Sequence, residues 1–251
     1  MPCILHDDND YLVVSKQPNQ LVYKSYYSRN IKSIPLLNEL EEILAYKLYP
    51  IHRLDYKTSG LLLFAKSSES AKELQQTFEK REVTKTYLAL VRGFFNPSDG
   101  SIDSPVKHPE TGKYRDAETA YQTLLQIQLP FPVKPYDSSR YSLMILKPKT
   151  GRMHQLRKHM NKVAHPIIGD HKYGNRHHNQ FFENHWKCPY LLLHAYSLNL
   201  QMNEKELDLT VPVSNTWSEL LEKLIRHGEI IYQAEAYERL AKLNKWPVLN
   251  H

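Results

Sequence analysis

The chain has 251 residues, 41% hydrophobic and 24% charged, with a net charge of +6 and a pI near 9.1. These are the proportions of a soluble globular protein with a substantial core, and no window approaches the roughly 18 uninterrupted apolar residues of a membrane-spanning helix. Two distant cysteines, Cys3 and Cys188, rule out a disulfide framework or a CxxC metal knuckle, and the acidic start MPCILHDDND is unlike a secretory signal; a reducing, cytoplasmic setting is expected.

Along the chain, YLVVSKQPNQLVY predicts a strand from Tyr11, a Lys-Gln-Pro-Asn turn and a second short strand. Leu37, Leu40, Ile43 and Leu44 fall at helical spacing and predict a helix over 34–46. IHRLDYKTSGLLLFAK then divides sharply. Ile51–Thr58 reads as a polar loop bearing Asp55, Thr58-Ser59-Gly60 as a turn, and Leu61–Lys66 as a buried strand. Ser68–Arg81 has serine N-caps, with Leu74 and Phe78 at i, i+4, and predicts a helix. TKTYLALVRGFF reads as a strand ended by Gly93, and residues 94–116 as a polar surface excursion. AETAYQTLLQIQL and SRYSLMILKPK predict two strands joined by the Pro-rich PFPVKPYDSS. A helix over Met153–Lys162 follows, then turn-rich HPIIGDHKYGNRHHN, then a hairpin of YLLLHAYSLNLQ with ELDLTVPV. Helical periodicity returns from Trp217 towards Arg226 and beyond Tyr232. Runs of strands without a regular βαβ alternation predict an α+β fold with a mainly antiparallel sheet, in one catalytic-sized domain spanning 1–251.

Four features bear on chemistry. Asp55 is a lone carboxylate with Arg53 two residues upstream and an apolar strand behind it, a setting in which it must be paired or its pKa will rise. With one acid on offer, the two-carboxylate arrangement of a glycosidase is not indicated; nucleophilic or proton-abstracting work is. From Lys147 to His177 there are eight basic residues and one acid, Asp170, a net +7 that exceeds the surplus of the whole chain; by itself it fits a polyanion-binding face and a merely solvated basic surface equally well. Within it Leu156 and Met160 mark the inner face of a helix with Arg157 beside them; this is either a common amphipathic helix with a basic outer face, or one that presents Arg157 as a permanent cation able to hold a buried carboxylate ionised. The histidines, including His154, His159, His165 and His194, lack metal-ligand spacing, so structural or RNA-facing roles are expected and no metal. Tyr87 on its strand is either a core aromatic or a ring on which a flipped base stacks.

HRLDYKTSGLLLFA, KTYLALVRG, LKPKTGRMHQLRKHM, HPIIGDHKYG and LLLHAYSL occur in the order seen in the RluA-type pseudouridine synthases, and the resemblance runs from about Tyr11 to Leu209. It implies the pseudouridine-synthase fold, a long mixed, mainly antiparallel sheet flanked by helices around a central RNA cleft. The core would be about 11–209, with no S4 RNA-binding domain upstream. Residue by residue, it implies that Asp55 is the catalytic aspartate and that Tyr87 stacks on the target uracil and takes part in proton removal. Arg157 would pair with Asp55, Leu156 would line the base pocket, and Arg53 would help hold the extruded nucleotide. Lys149, His154 and Lys162 are expected to contact RNA. The reaction breaks the N1–C1′ bond of uridine and rejoins the base through C5, with no cofactor. The stretch from Pro132 through RHHNQFF resembles most the subgroup that modifies uridine 65 of tRNA. A soluble monomer acting on tRNA is therefore expected; the same chemistry on ribosomal RNA, an RNA N-glycosylase and a non-catalytic RNA-binding protein are the alternatives. Two departures from the family's usual pattern, Asn19 in the turn after Lys16 and Tyr23 after Val22, put the cleft edge in question.

Overall fold

The computed structural model describes residues 2–24, 31–109, 111–202, 205–247 and 249. In chain order the elements are β1 (Cys3–Asp7), β2 (Tyr11–Lys16), α1 (Leu36–Leu44), β3 (Tyr49–Pro50), β4 (Ser59–Ala65), α2 (Ser68–Glu79) and β5 (Thr84–Arg92). Then come β6 (Asp99–Asp103), β7 (Val106–Lys107), β8 (Tyr114–Arg115), β9 (Glu118–Leu129), β10 (Ser139–Pro148), α3 (Gln155–Lys162) and α4 (Arg176–Trp186). The last are β11 (Leu193–Met202), β12 (Lys205–Thr210), α5 (Asn215–His227), β13 (Glu229–Gln233) and α6 (Glu235–Asn244). The chain is α+β and divides into two compact units, residues 1–85 with 194–211, and residues 86–193 with 212–251.

In the first unit β1, β2 and β4 pair antiparallel, β12 pairs antiparallel with β11, and β4 meets β11 in parallel register. Every residue of β4 is buried, which explains why Leu61–Ala65 is apolar without alternation: both faces of the strand are covered. Leu61, Leu63 and Ala65 join Tyr11, Val13, Leu74 and Leu198 in one core, which α2 closes from its apolar face. The Ser67 side chain caps α2 by accepting the Ser70 N–H at 3.0 Å.

In the second unit β5, β10, β9 and β13 pair antiparallel in that order, with β6 also on β9. The predominantly antiparallel character read from the sequence is thus present in both units. Leu156 and Met160 of α3 pack with Met144, Leu146, Ala89 and Val91 of the strands beneath.

Several local expectations need correction. Leu21–Tyr23 is not a strand: the carbonyls of Leu21 and Val22 accept the first N–H groups of α1, from Leu36 at 2.8 Å and Leu37 at 3.0 Å. Ser59 and Gly60 do not form a turn but begin β4, opposite His194 and Ala195. The excursion at 94–116 contains β6, β7 and β8, and RHHNQFF forms the first turns of the unpredicted helix α4, capped by the Asn175 side chain. β1 and β13 were not expected either.

Candidate active site

Asp55 lies half-buried in a loop whose backbone is clipped on both sides. Upstream, the Ile51 N–H donates to the Leu63 carbonyl at 3.2 Å, and the Leu63 N–H donates to His52 Nε2 at 3.2 Å. His52 stacks on Phe78 of α2 at 5.4 Å between ring centroids. Its desolvation, assisted by the Lys85 cation, depresses its pKa to about 3, so the ring is neutral and remains an acceptor. Downstream, the Thr58 N–H closes a turn on the Asp55 carbonyl at 3.1 Å. Leu54 and Thr58 are buried, so the loop is anchored at both shoulders of the carboxylate.

The strongest anchor is Lys16 at the end of β2, which sequence reading treated only as a turn residue. It has no exposed surface. Its Nζ donates to the carbonyls of Gln17 at 2.8 Å, Gln20 at 2.9 Å and Tyr56 at 3.1 Å, the last directly after Asp55. Burial lowers its pKa to about 7, and the charge of Asp55 opposes that shift. An ammonium thus ties the residue following the carboxylate into the unit. Arg53 is exposed, with its guanidinium 5.9 Å from the ring centroid of Tyr23. The departure at Tyr23 therefore supports the side chain expected to hold an extruded nucleotide.

In the second unit, α3 presents Leu156 and Arg157. Its start is shaped by Gln155, whose Oε1 accepts from the Arg152 N–H at 3.0 Å and from Thr150 Oγ1 at 2.6 Å. Its Nε2 donates to the Glu118 carbonyl and Thr119 Oγ1, both at 3.0 Å. His154, at φ 57°, precedes the helix, and its Nδ1 lies 3.0 Å from the Tyr173 hydroxyl. Arg157 is buried, and the carboxylate it grips within its own unit is Asp170: Nε donates to Oδ2 at 2.7 Å and Nη2 to Oδ1 at 2.9 Å. Burial pushes the Asp170 carboxyl up, but the Arg157 hydrogen bonds and charge outweigh it. With the Tyr173 and Lys172 N–H groups they hold it below the usual carboxylate range. The Tyr173 ring lies 5.2 Å from the guanidinium. Tyr87 on β5 is half-buried and packs against the same apolar cluster as Leu156.

The other expected contacts are more mixed. Lys149 Nζ is 2.6 Å from Glu118 Oε1, and Lys162 Nζ donates to Ser104 Oγ. Several histidines carry structural bonds: His194 bridges Ser59 Oγ and the Val211 carbonyl, His159 bridges Thr119 Oγ1 and the Ser104 carbonyl, and His178 meets the Tyr141 hydroxyl at 2.9 Å. Sequence reading missed Lys16, Asp170, Tyr173 and Asn179. A signal did exist for Asp170, since it is the one acid among eight basic residues.

A half-buried carboxylate on a pinned loop and a buried arginine on a pinned helix are parts suited to acid–base or nucleophilic chemistry on a nucleic acid base. Residues 10–162 match the RNA pseudouridylate synthase family, over a stretch that includes Asp55, Tyr87 and Arg157. The chain belongs to that family, enzymes that isomerise uridine to pseudouridine in RNA. It is 34% identical to tRNA pseudouridine synthase C of Vibrio vulnificus (strain CMCP6), over 88% of this chain and 94% of that one. It is 38% identical to tRNA pseudouridine synthase C of Haemophilus ducreyi, over 78% and 84%. Among solved structures, Human RNA Pseudouridylate Synthase Domain Containing 4 superposes with a TM-score of 0.68 at 26% identity, covering 92% of this chain and 95% of that one. Human RNA Pseudouridylate Synthase Domain Containing 1 shares the fold, with a TM-score of 0.74 at 23% identity over 98% and 95%. No helix among the described residues is long and apolar enough to cross a membrane.

Proposed function

We propose that this enzyme acts on tRNA, converting uridine 65 to pseudouridine, with Asp55 as the catalytic carboxylate. The observation that carries the substrate is the end-to-end likeness to proteins named tRNA pseudouridine synthase C, including one covered over 94% of its length. In the reaction the N1–C1′ bond breaks, the uracil turns over, C5 bonds to C1′, the C5 proton leaves and N1 gains one, so mass is unchanged. Whether the carboxylate attacks the sugar, adds to the base or removes a sugar proton, it must be ionised to do so. Arg157 is proposed as the cation that keeps it so, Tyr87 as the ring stacking on the uracil, and Leu156 as an apolar wall of the base site. Arg53, Lys149, His154 and Lys162 are proposed as RNA contacts. Support for these roles is the rigid seating of Asp55 and Arg157 and the shared apolar cluster of Tyr87 and Leu156.

Mapping pseudouridine in the tRNA and ribosomal RNA of a deletion strain tests the substrate. Loss at tRNA position 65 is expected, and loss confined to ribosomal RNA would overturn the assignment. Asp55→Asn, which almost preserves volume, is expected to fold and bind tRNA yet form no pseudouridine. Turnover above a no-enzyme control would remove Asp55 from the role, and release of free uracil by the wild type would indicate a glycosylase instead.

A further inference from the structure

We infer that Asp170 is a positioning residue for the reaction, fixing the direction in which Arg157 presents its guanidinium, and that Asn179 of α4 holds the turn from which Asp170 acts. The inference rests on the proposed role of Arg157 at the catalytic carboxylate.

A buried arginine can rotate about its own long axis unless something stops it. Here two parallel hydrogen bonds of 2.7 and 2.9 Å to one carboxylate fix the in-plane rotation, and the Tyr173 ring at 5.2 Å covers a face. The Nε–Nη2 edge is taken by Asp170, which sets where the Nη1 side must lie. The carboxylate is itself immobile, because its Oδ1 also accepts the N–H groups of Lys172 at 2.9 Å and Tyr173 at 3.0 Å. Its main chain is held from α4: Asn179 Nδ2 donates to the Asp170 carbonyl at 2.9 Å, and Asn179 Oδ1 accepts the Gly169 N–H at 2.8 Å. The turn has no slack. A Cβ on Gly169 would fall 1.8 Å from the Tyr190 carbonyl oxygen, and one on Gly174 would fall 2.1 Å from that of Asp170.

Stability is a poor account of this pair. Its side chains are 7% and 1% exposed, and buried ion pairs of that kind seldom outperform well-packed apolar residues. Orientation is what the pair supplies that apolar residues cannot. A catalytic cation misplaced by about 1 Å can cost about 100-fold in rate, so a device that removes one rotational freedom has a function here.

The test is a double-mutant cycle between Asp170→Asn and Arg157→Lys, read by single-turnover pseudouridine formation, tRNA affinity and thermal midpoint. Lysine keeps the charge but offers no fork to orient. Asp170→Asn alone is expected to bind tRNA as the wild type does and to lose about 100-fold in single-turnover rate. In the Arg157→Lys background it should cost little more, because its partner's geometry is already gone. Asn179→Ala, which touches neither Arg157 nor Asp170's carboxylate, should slow the same step by about tenfold at unchanged affinity, and it decides the matter if Asp170→Asn does not fold. A wild-type rate in a folded Asp170→Asn, or an equal loss in both backgrounds, overturns the inference; so does a wild-type rate in Asn179→Ala should Asp170→Asn fail to fold. Arg157→Met separates the two levels: a wild-type rate there would remove the role of Arg157, whereas an inactive Arg157→Met beside a fully active Asp170→Asn would remove only that of Asp170.

Discussion

At Lys16 a charge sits where a charge is costly. With no exposed surface, its ammonium is balanced by three carbonyls and by the field of Asp55, yet its pKa still drops to about 7. An ordinary lysine titrates near 10.5, so between about pH 7 and 10.5 the unfolded chain binds the proton and the folded chain does not. Folding stability from this group therefore rises with pH across that window, by about 1.4 kcal/mol per pH unit, and is flat below it. Lys16→Met removes the titration together with the three hydrogen bonds. Urea unfolding of both proteins from pH 6 to 9 should show the wild type gaining on Lys16→Met above pH 7; parallel curves would mean that the ammonium is not desolvated as the structure has it. Arg157 obeys the opposite sign. Arg157→Met strands Asp170, whose depressed pKa depends on that guanidinium, as well as removing the proposed partner of Asp55. The variant should lose several kcal/mol at neutral pH. Because an unpaired buried carboxyl titrates high, it should recover part of that loss as the pH falls and Asp170 takes up a proton. Thermal midpoints at pH 7 and pH 5 check this, and an equal deficit at both would contradict it.

Elements were legible where one rule governed them. β2, β9 and β10 carry β-branched and aromatic residues in apolar runs, and β11 is Leu-rich; α5 buries the apolar stripe Trp217, Leu220, Leu221 and Leu224, and α2 and α3 each show an apolar pair four residues apart, Leu74 with Phe78 and Leu156 with Met160. α4 was hidden because its first turn is wholly polar and follows the turn-rich HPIIGDHKYGN. His178 and Asn179 are buried there beside Phe182 and Trp186, each tied by a side-chain hydrogen bond that no periodicity reports. β1 failed the opposite way: all five residues are exposed, and only pairing with β2 makes it a strand. Gly60 shows why the Thr-Ser-Gly signal misled. It has φ +110°, which resembles a turn, but the cause is the approach of β11: a Cβ would lie 2.2 Å from the Ala195 carbonyl oxygen. Gly60→Ala should therefore destabilise by about 3 kcal/mol or more, beyond the usual loss for a core substitution, while Gly151→Ala, with nothing within 4 Å, should be nearly neutral. Equal chemical stability of the two variants would show that the close approach does not occur. The site divides similarly. Asp55 and Arg157 stand out because motif and charge mark them; Asp170 carries one linear signal, as the one acid among eight basic residues, whereas the buried hydrogen bonds of Lys16 have none.

At the scale of the whole molecule, the net positive charge is concentrated in one segment. The segment from Lys147 to His177 carries eight cations, and its single acid is spent internally on Arg157, so the remaining seven face no acid of their own segment. Lys149 nevertheless meets an acid from β9, Glu118, at 2.6 Å, with side chains 63% and 33% exposed. Such an exposed pair contributes at most about 1 kcal/mol, so it is exchangeable: a phosphate can displace the glutamate. If Lys149 contacts RNA as proposed, Glu118 competes with the ligand. Glu118→Gln should then tighten tRNA binding at low salt and steepen the dependence of log K on log salt by up to about 0.7–0.9. Lys149→Ala should shallow it, and in the Glu118→Gln background should abolish the gain. All tRNAs should respond alike, since a phosphate contact carries no base information, and single-turnover rates at saturating protein should stay unchanged. Titrations at four salt concentrations for the three variants and the wild type suffice. If Glu118→Gln leaves both affinity and slope where they were, the pair is only surface decoration and the RNA follows a path that does not pass Lys149.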